Sequence, residues 1–277
     1  MISGNYFLKN SKIQPAEKFI DPVKMDSVNI YEVIRVDSST PLFVEEHLLR
    51  FNNSLLIAGK KLALSDYRVV EQINKLIEIN NIREGLIRIV ISFNNDNSIT
   101  ATTFQTKVTF PPIEYYINGV SCMLQYSERD NPTAKIFNPE VRGKANNIIS
   151  SRNVYETILV NSKGEITEGS RSNVFFIKDR TIYTAPNDLI LQGITRQKVI
   201  NIINSFGIHL QLVPISINNL REMDAMFITG TTPKVLPVNQ LGDIKFKVNN
   251  TIVVNLMQAY SNMVDEYKGR NTKRPAH

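Results

Sequence analysis

The chain has 277 residues, more than a single hydrophobic core usually holds, so two domains are expected. Its composition, 42% hydrophobic and 21% charged, is ordinary for a soluble globular protein. The single cysteine, Cys122, excludes an internal disulfide framework and fits a reducing cytosol, so a cytoplasmic location is expected.

The formal net charge of +6 raises the question of nucleic acid as a partner. The basic residues are dispersed, however, and the one local cluster, Lys268 to Arg274, is expected to be a solvated end. A mild excess of cations also suits anionic cofactors and carboxylate substrates. The N-terminus lacks the apolar core of a signal peptide, and no apolar run approaches the length of a membrane span. We therefore expect neither nucleic acid nor membrane as a partner, and no metal site.

The first half of the chain predicts two helices followed by two strands. Helical periodicity extends over residues 44–60 and again over 67–80, and β-rich runs follow at 85–92 and 101–110. The residues NNDN at 94–97 supply the turn between the two strands. Pro111-Pro112 then interrupts the pattern. The expected organisation is a smaller α/β domain at 1–112, a linker at 113–119 and a larger cofactor-binding domain at 120–277.

The second half alternates strands and helices. The strand-like runs are VSCMLQY, YETILVN, SNVFFIK, IHLQLVP and AMFITG, with a helix after Gly193 and a last amphipathic helix near 253–267. The helix after Gly193 carries Val199, Ile202, Ile203 and Phe206 on one side, which indicates a core-facing surface. The predicted class is α/β or α+β with mixed sheets.

Three segments in this half carry residues suited to binding an anion. The stretch Ile166 to Lys178 places the carboxylate of Glu168 at a Gly-Ser-rich turn that leads into an apolar strand. Leu191 to Arg196 (LQGITR) opens a helix whose free N–H groups can hold a phosphate. Phe227 to Val238 ends a strand in four small residues, TGTT, that offer hydroxyl and N–H groups. An acid with two phosphate-binding turns suits a phosphorylated heteroaromatic cofactor better than a nucleotide, although each motif alone is typical of an ordinary loop end.

In their order and in their residues, these motifs resemble those of the class IV aminotransferases, the pyridoxal-phosphate (PLP) enzymes of fold type IV. That group includes branched-chain aminotransferases, D-amino-acid aminotransferases and aminodeoxychorismate lyase. The resemblance spans about residues 28 to 240. It implies a two-domain α/β (α+β) fold of the D-amino-acid aminotransferase type, PLP as cofactor, small amino acids and 2-oxo acids as substrates, and a homodimer. Indirect support for a dimer comes from the aromatic residues of the first half, Tyr6, Phe7, Phe19 and Tyr31.

The family needs a lysine that binds PLP covalently and moves protons on the substrate. Two lysines precede Glu168, and both fit the K-x-x-N pattern of the family, Lys135 with Asn138 and Lys144 with Asn147. The pattern alone does not decide between them. The interval between the lysine and the YETIL strand decides between them. From Lys135 this interval fits the spacing of the family, whereas from Lys144 it would be nine residues shorter, about two and a half helical turns. Lys135 is therefore the predicted catalytic lysine, and Lys144 is expected on an exposed helix face.

The resemblance assigns further residues to the cofactor. Glu168 matches the glutamate that pairs with the pyridine nitrogen and keeps it protonated, the alternative being a structural turn acid. Arg50 matches the arginine that binds the cofactor phosphate, for which a bidentate guanidinium is suited. The remaining matches are Leu191 against a ring face, Ile194 and Thr195 at the helix start, and Thr231 and Thr232 in the second phosphate loop.

Substrate recognition is predicted from two residues of the first half. Tyr31 matches a tyrosine that faces the substrate, and Arg88 resembles an arginine of the branched-chain enzymes that meets a distal carboxylate. The D-amino-acid enzymes carry an arginine and a histidine just beyond this strand, where this chain has Phe93 and an asparagine-rich turn. The lyases tend to have a T-N-S-like strand end where this chain has TGTT. We therefore expect an aminotransferase closer to the branched-chain enzymes, with the lyase as the alternative enzyme and a cofactor-binding protein without turnover as the non-enzymatic alternative.

Overall fold

A computed structural model of the chain describes residues 2–23, 26–61 and 65–271, and these fall into two compact units. The first unit comprises Met1–Thr109, Ala134–Phe137 and Val264–His277, as far as they are described. The second comprises Phe110–Thr133 and Asn138–Met263. Each unit therefore contains more than one stretch of chain, and the short segment Ala134–Phe137 is grouped with the first unit although its neighbours on both sides belong to the second.

The first unit is an antiparallel sheet with two helices. Its elements are β1 (Ile2–Lys9), β2 (Lys12–Pro15), β3 (Val28–Asp37), β4 (Thr40–Pro41), α1 (Val44–Ile57), α2 (Asp66–Ile79), β5 (Glu84–Phe93) and β6 (Ile99–Thr106). The strands are ordered β2-β1-β6-β5-β3-β4. In the register of the central pair, Tyr31 lies opposite Val90 and Val33 opposite Arg88.

The two faces of this sheet bury different residues, because successive residues of a strand point to opposite sides. Ile30 and Ile34 of β3 pack in one cluster with Leu48 and Phe51 of α1. On the other face, Tyr31 belongs to a cluster whose buried members are Phe7, Tyr31, Val90 and Phe104. Tyr31 therefore lies on the face of β3 opposite to Ile30 and Ile34, which pack against α1.

The aromatic residues of the first half are mostly used inside this unit. The Phe19 ring packs against Phe7 at 5.2 Å and against Phe104 at 4.8 Å between ring centroids. Tyr31 is buried and Tyr6 is exposed. Three of the four rings on which the expectation of a dimer was based therefore pack within the unit. They do not form an exposed aromatic surface that would support a dimer.

The second unit holds a longer mixed sheet. Its elements are α3 (Ile113–Asn118), β7 (Val120–Tyr126), α4 (Pro139–Arg152), β8 (Glu156–Val160), β9 (Glu165–Gly169), β10 (Asn173–Lys178), β11 (Thr181–Thr184), α5 (Ile194–Ser205), β12 (Leu210–Leu212), β13 (Ile215–Ser216), β14 (Ala225–Gly230), β15 (Lys234–Leu241), β16 (Ile244–Lys245) and the first part of α6 (Thr251–Asn271). The strand order is β12-β11-β10-β14-β15-β7-β8-β9-β13, and β16 pairs with β15.

This sheet curls on itself near Glu168. Strands β9 and β10 are separated by three residues in the chain, yet four other strands lie between them in the sheet. Five strand spacings in a flat sheet would need about 24 Å, whereas the step from Gly169 to Asn173 spans at most about 14 Å of extended chain. The sheet therefore bends until β9 approaches β10, and the end of β9 comes close to the start of β10.

Several sequence-based expectations can be compared with these elements. Most of the segment expected as a linker, 113–119, is helical: it forms α3, whose Tyr116 hydroxyl donates to the carbonyl of Pro233. Lys268, expected at a solvated end, is only 20% exposed in its side chain and forms ion pairs with Asp37 and Asp265. Residues 272–274 of that basic cluster lie outside the described part of the chain. Among the described residues, no helix has the length and apolar character needed to cross a membrane.

Candidate active site

The segment that carries Lys135 is attached to the first unit as an additional strand. Tyr31 N–H donates to the Lys135 carbonyl at 3.2 Å, and Phe137 N–H donates to the Asn29 carbonyl at 2.9 Å. Ile30 and Ile136 form an antiparallel bridge between these two bonds. The segment thus runs along the edge of β3, beyond the two residues that β4 covers. Main-chain hydrogen bonds fix the position of Lys135 although no helix or long strand contains it.

A serine of α1 holds the same segment from the other side. The buried Ser54 hydroxyl accepts the Lys135 N–H at 2.9 Å and donates to the Arg50 carbonyl at 2.8 Å. The main chain of Lys135 is therefore linked to the helix turn that bears Arg50.

The side chains of Lys135, Tyr31 and Arg88 meet at the tyrosine ring. Lys135 Nζ lies 4.8 Å from the ring centroid, and Arg88 Cζ lies at the same distance. The two cationic groups are therefore separated by no more than twice that distance. The Nε atom of Arg88 is buried and has no hydrogen-bond partner within the described residues. These three predicted site residues are brought together in one unit.

Lys144, the competing lysine, is located elsewhere. It lies on α4, its side chain is 53% exposed, and its Nζ pairs with Glu140 at 2.7 Å one turn earlier on the same helix. An exposed i,i+4 ion pair of this kind is typical of a solvated helix face.

Arg50 is bound to a buried glutamate that the sequence analysis did not identify. Its Nε and Nη2 donate to the two oxygens of Glu32 at 2.8 Å each, and His47 Nδ1 lies 2.8 Å from Glu32 Oε2. Burial alone would raise the pKa of Glu32, but Arg50 and His47 outweigh it and hold this pKa well below its usual range. Burial lowers the pKa of His47 against the opposing effect of Glu32. Arg50 lies on the helix-covered face of β3, the face opposite Tyr31.

In the second unit, Glu168 contacts groups from a loop, from the residue before Gln192 and from the start of β10. Arg129 Nε forms an ion pair with its Oε1 at 2.9 Å. The Leu191 N–H donates to Oε2 at 3.2 Å, and Asn173 Nδ2 lies 3.4 Å from the same oxygen. The carboxylate is almost completely buried, so the charge of Arg129 and the N–H groups of Leu191 and Asn173 fix its orientation. Leu191, predicted to lie near the cofactor, is thereby placed against Glu168.

The turn after Glu168 is shaped by a second buried glutamate. Glu156 accepts hydrogen bonds from the hydroxyls of Ser170 and Ser172, at 2.7 and 3.0 Å, and from the Arg171 N–H at 3.1 Å. Gly169 packs so closely that an added Cβ would lie 2.1 Å from Ser172 Oγ. The Gly-Ser-rich sequence is therefore needed for the turn to close around Glu156.

The two predicted phosphate-binding turns lie at the start of α5 and between β14 and β15. Gly193 is the N-cap of α5 and provides no side-chain cap for the Ile194 and Thr195 region. The second turn is a hairpin closed by the Gly230–Lys234 pair, with Thr231 and Thr232 in its loop. One strand position earlier, the Thr229 hydroxyl is buried and has no hydrogen-bond partner among the described residues.

Arg196 anchors the loop that precedes α5. Its guanidinium donates to Asn187 Oδ1 and to the Ala185 carbonyl, both at 2.8 Å. The side chain is 1% exposed, and burial lowers the pKa of Arg196 to about 10. It remains charged at neutral pH and fixes the start of the loop 185–193.

Sequence reasoning missed Glu32, Ser54, Arg129 and Asn173. A signal existed for Glu32, because it interrupts the apolar alternation of Ile30, Ile34 and Val36 on the buried face of β3. Helical spacing from Phe51 places Ser54 on the buried face of α1, which was a second signal. Arg129 lies in a loop and Asn173 begins β10, where no local periodicity marks a contact.

Comparison with known proteins agrees with this architecture. Residues 29–241 match the family described as amino-transferase class IV. The chain is 30% identical over 226 residues to the D-alanine aminotransferase of Bacillus licheniformis, covering 76% of this chain and 78% of that protein. It is 23% identical over 265 residues to the aminodeoxychorismate lyase of Bacillus subtilis (strain 168), covering 88% and 89%.

The fold is similar to a crystal structure of the T.th. branched-chain amino acid aminotransferase with pyridoxamine 5'-phosphate. The TM-score is 0.83, the identity is 22%, and 97% of this chain and 98% of that chain are covered. This confirms the predicted fold type IV architecture. Because the family match also covers more than half of the sequence, the chain belongs to the class IV aminotransferases, a family of PLP-dependent enzymes.

Proposed function

We propose that the protein is an aminotransferase that exchanges an amino group between an amino acid and a 2-oxo acid, one partner being a dicarboxylate such as L-glutamate or 2-oxoglutarate. The observation that carries this proposal is the cluster at the Tyr31 ring, where the Lys135 amine and the Arg88 guanidinium lie at equal distances. A substrate carboxylate bound by Arg88 is then held within reach of the amine. An apolar side chain of the second substrate fits against the ring itself.

The residues of the second unit suit the cofactor of the family. Bound PLP supplies a protonated ring that takes up the electrons released when the substrate Cα–H bond breaks. Glu168 is oriented by Arg129 and Leu191 and offers a carboxylate to the ring nitrogen. The uncapped start of α5 at Ile194 and Thr195 offers N–H groups to the phosphate. The buried Thr229 hydroxyl, which has no partner within the described part of the chain, also fits a polar ligand close to this turn.

In the first unit, we assign two roles to Lys135. Its amine would hold the cofactor, and, once released by the substrate amine, would accept and return a proton at the substrate Cα. The hydrogen bonds to Tyr31 and Ser54 hold its main chain in place. We further assign Arg50, fixed by Glu32, to the cofactor phosphate, for which a preoriented guanidinium is suited.

A second candidate substrate is D-alanine, favoured by the 30% identity to the Bacillus licheniformis enzyme. Against it, β5 ends at Phe93 and is followed by an asparagine-rich turn, in place of the arginine and histidine that the D-amino-acid enzymes use. The same assay decides between the two. Purified enzyme is offered L-glutamate, L-branched-chain amino acids and D-alanine with matching 2-oxo acids, and pyruvate release from aminodeoxychorismate is measured in parallel. Exchange with L-glutamate supports the proposal. Exchange confined to D-amino acids, or pyruvate release without exchange, contradicts it.

The role of Arg88 is tested by measuring both half-reactions in Arg88→Met. The dicarboxylate half-reaction is expected to weaken by roughly 2–5 kcal/mol, the usual cost of truncating one partner of a buried charge pair. The apolar half-reaction should change much less. Arg35→Met is the matched control, because Arg35 lies on the same face of the sheet, paired with Leu86 two positions along the register. Equal losses in both half-reactions of Arg88→Met would assign Arg88 to the fold.

A further inference from the structure

Asn173, the first residue of β10, contacts both the acid and the loop of the second unit. Its Nδ2 donates to the Leu191 carbonyl at 2.8 Å and lies 3.4 Å from Glu168 Oε2. Leu191 in turn donates its N–H to that same Oε2 at 3.2 Å. Leu191 is thus held on one side by Glu168 and on the other by Asn173. Glu168, Leu191 and Asn173 form a closed ring of contacts, and Asn173 is almost completely buried.

The other end of the Asn173 amide faces the start of α5. A Cβ added to Gly193 would lie 2.1 Å from Asn173 Oδ1, and the next residue it would approach, Arg196, is 3.6 Å away at its Cβ. The backbone of Gly193, with φ −62° and ψ 137°, is one that any L-residue adopts. The glycine is therefore required by the proximity of Asn173 and not by its own conformation. One side-chain amide separates the Glu168 carboxylate from the first turn of α5.

We propose that Asn173 is a positioning residue that fixes Glu168 and the N-terminus of α5 relative to each other. Its Nδ2 holds the loop through Leu191, and its Oδ1 sets how closely Gly193 can approach β10. The pairing of Asn173 with Thr229 also places it beside the end of β14, which leads into the Thr231–Thr232 turn. This inference rests on the proposed function in one respect, since it takes Glu168 and the start of α5 to hold two ends of the same cofactor.

The two ends of the amide can be tested separately. Asn173→Ala removes both groups, whereas Asn173→Asp keeps the oxygen that faces Gly193 and removes the donor to Leu191. Each is combined with Gly193→Ala. Dissociation constants for PLP are measured by titrating apoprotein, and melting temperatures are measured on the same apoproteins. Asn161→Ala is the control, because Asn161 binds Glu165 at the opposite end of β9 and is remote from Glu168 in the strand.

Asn173→Ala is expected to weaken PLP binding about tenfold, the effect of a lost buried hydrogen bond. Asn173→Asp is expected to weaken it more, because its carboxylate would lie beside Glu168 Oε2 and the Leu191 carbonyl. Gly193→Ala should weaken binding in the wild-type and Asn173→Asp backgrounds and add little in the Asn173→Ala background, where the colliding oxygen is absent. Asn161→Ala should lower the melting temperature and leave the PLP dissociation constant unchanged. This pattern of coupling supports the positioning role.

Two results would overturn the inference. One is a Gly193→Ala effect of equal size in all backgrounds. The other is a set of Asn173 variants that lower only the melting temperature while the dissociation constant stays unchanged. Failure of the proposed function looks different, because exchange confined to D-amino acids, or pyruvate release without exchange, would contradict that function while the wild-type protein still binds PLP. In that case the coupling of the melting temperatures still tests the contact between Asn173 and Gly193.

Discussion

At the scale of single residues, Glu32 is the buried carboxylate of the first unit that binds both Arg50 and His47. It is buried between Arg50 and His47 on a strand face that is otherwise aliphatic. A buried carboxylate of this kind is tolerated only when its charge is paired and its oxygens are hydrogen-bonded. Here the pairing also orients the Arg50 guanidinium, which donates to both oxygens of Glu32.

Glu32→Gln should destabilise the protein at neutral pH by about 3–5 kcal/mol, because Arg50 is left buried without its counter-charge. The pKa of Glu32 is lowered in the folded state, so its stabilising effect is complete above the ordinary value of 4.5 and is lost as pH falls towards the lowered pKa. The difference between variant and wild type should therefore shrink below pH 4.5. Thermal unfolding at a series of pH values measures it.

The control for this change is Glu78→Gln. Glu78 forms an exposed ion pair with Lys75 in the same unit, and such a pair contributes at most about 1 kcal/mol. A Glu32→Gln penalty no larger than the Glu78→Gln penalty, or one that is constant with pH, would show that Glu32 is not the charged anchor of Arg50.

At the scale of elements, the segment 134–137 depends on α1 and β3 for its position. Ser54→Ala should remove the Ser54 acceptor of the part-buried Lys135 N–H, at a cost of about 0.5–1.5 kcal/mol. We expect slower covalent attachment of PLP as well as a lower melting temperature, since Lys135 loses part of its main-chain support. Attachment is followed by absorbance after mixing apoprotein with PLP.

Ser65→Ala is the matched control for the serine. Ser65 caps α2 in the same unit by accepting the Arg68 N–H, and loss of such a cap costs typically about 1 kcal/mol. It should lower stability while the rate of PLP attachment is unaffected. If Ser54→Ala and Ser65→Ala behave alike, the Ser54 hydroxyl contributes to stability alone.

The sequence predicted features that depend on local patterns. It did not predict features that depend on contacts between residues far apart in the chain. Periodicity located α1, β5 and α5, because their apolar residues recur at helical or strand spacing. The attachment of Lys135 to Ser54 joins residues 81 positions apart, and the Glu168–Leu191 contact joins residues 23 apart. Such contacts depend on how the elements pack, and no local pattern encodes them. The position of Lys135 was predictable only from its interval to the next strand.

At the scale of the whole molecule, we expect a homodimer, as the family resemblance implies. Sedimentation at assay concentration should show a species of twice the mass of one chain that retains full activity. The control is the same measurement over a dilution series, in which activity should fall together with the dimer fraction. A fully active monomer would contradict the expectation.

The assignment of PLP to Lys135, on which the proposed function depends, is tested most directly by chemical trapping. Borohydride reduction of the protein with bound PLP fixes the cofactor on its lysine, and peptide mapping then locates it. We expect the label on the peptide that contains Lys135, which is attached to β3 and lies against Tyr31. Lys135→Ala should abolish this label. A label on Lys144, the exposed partner of Glu140, or no label on the wild-type protein would contradict the assignment.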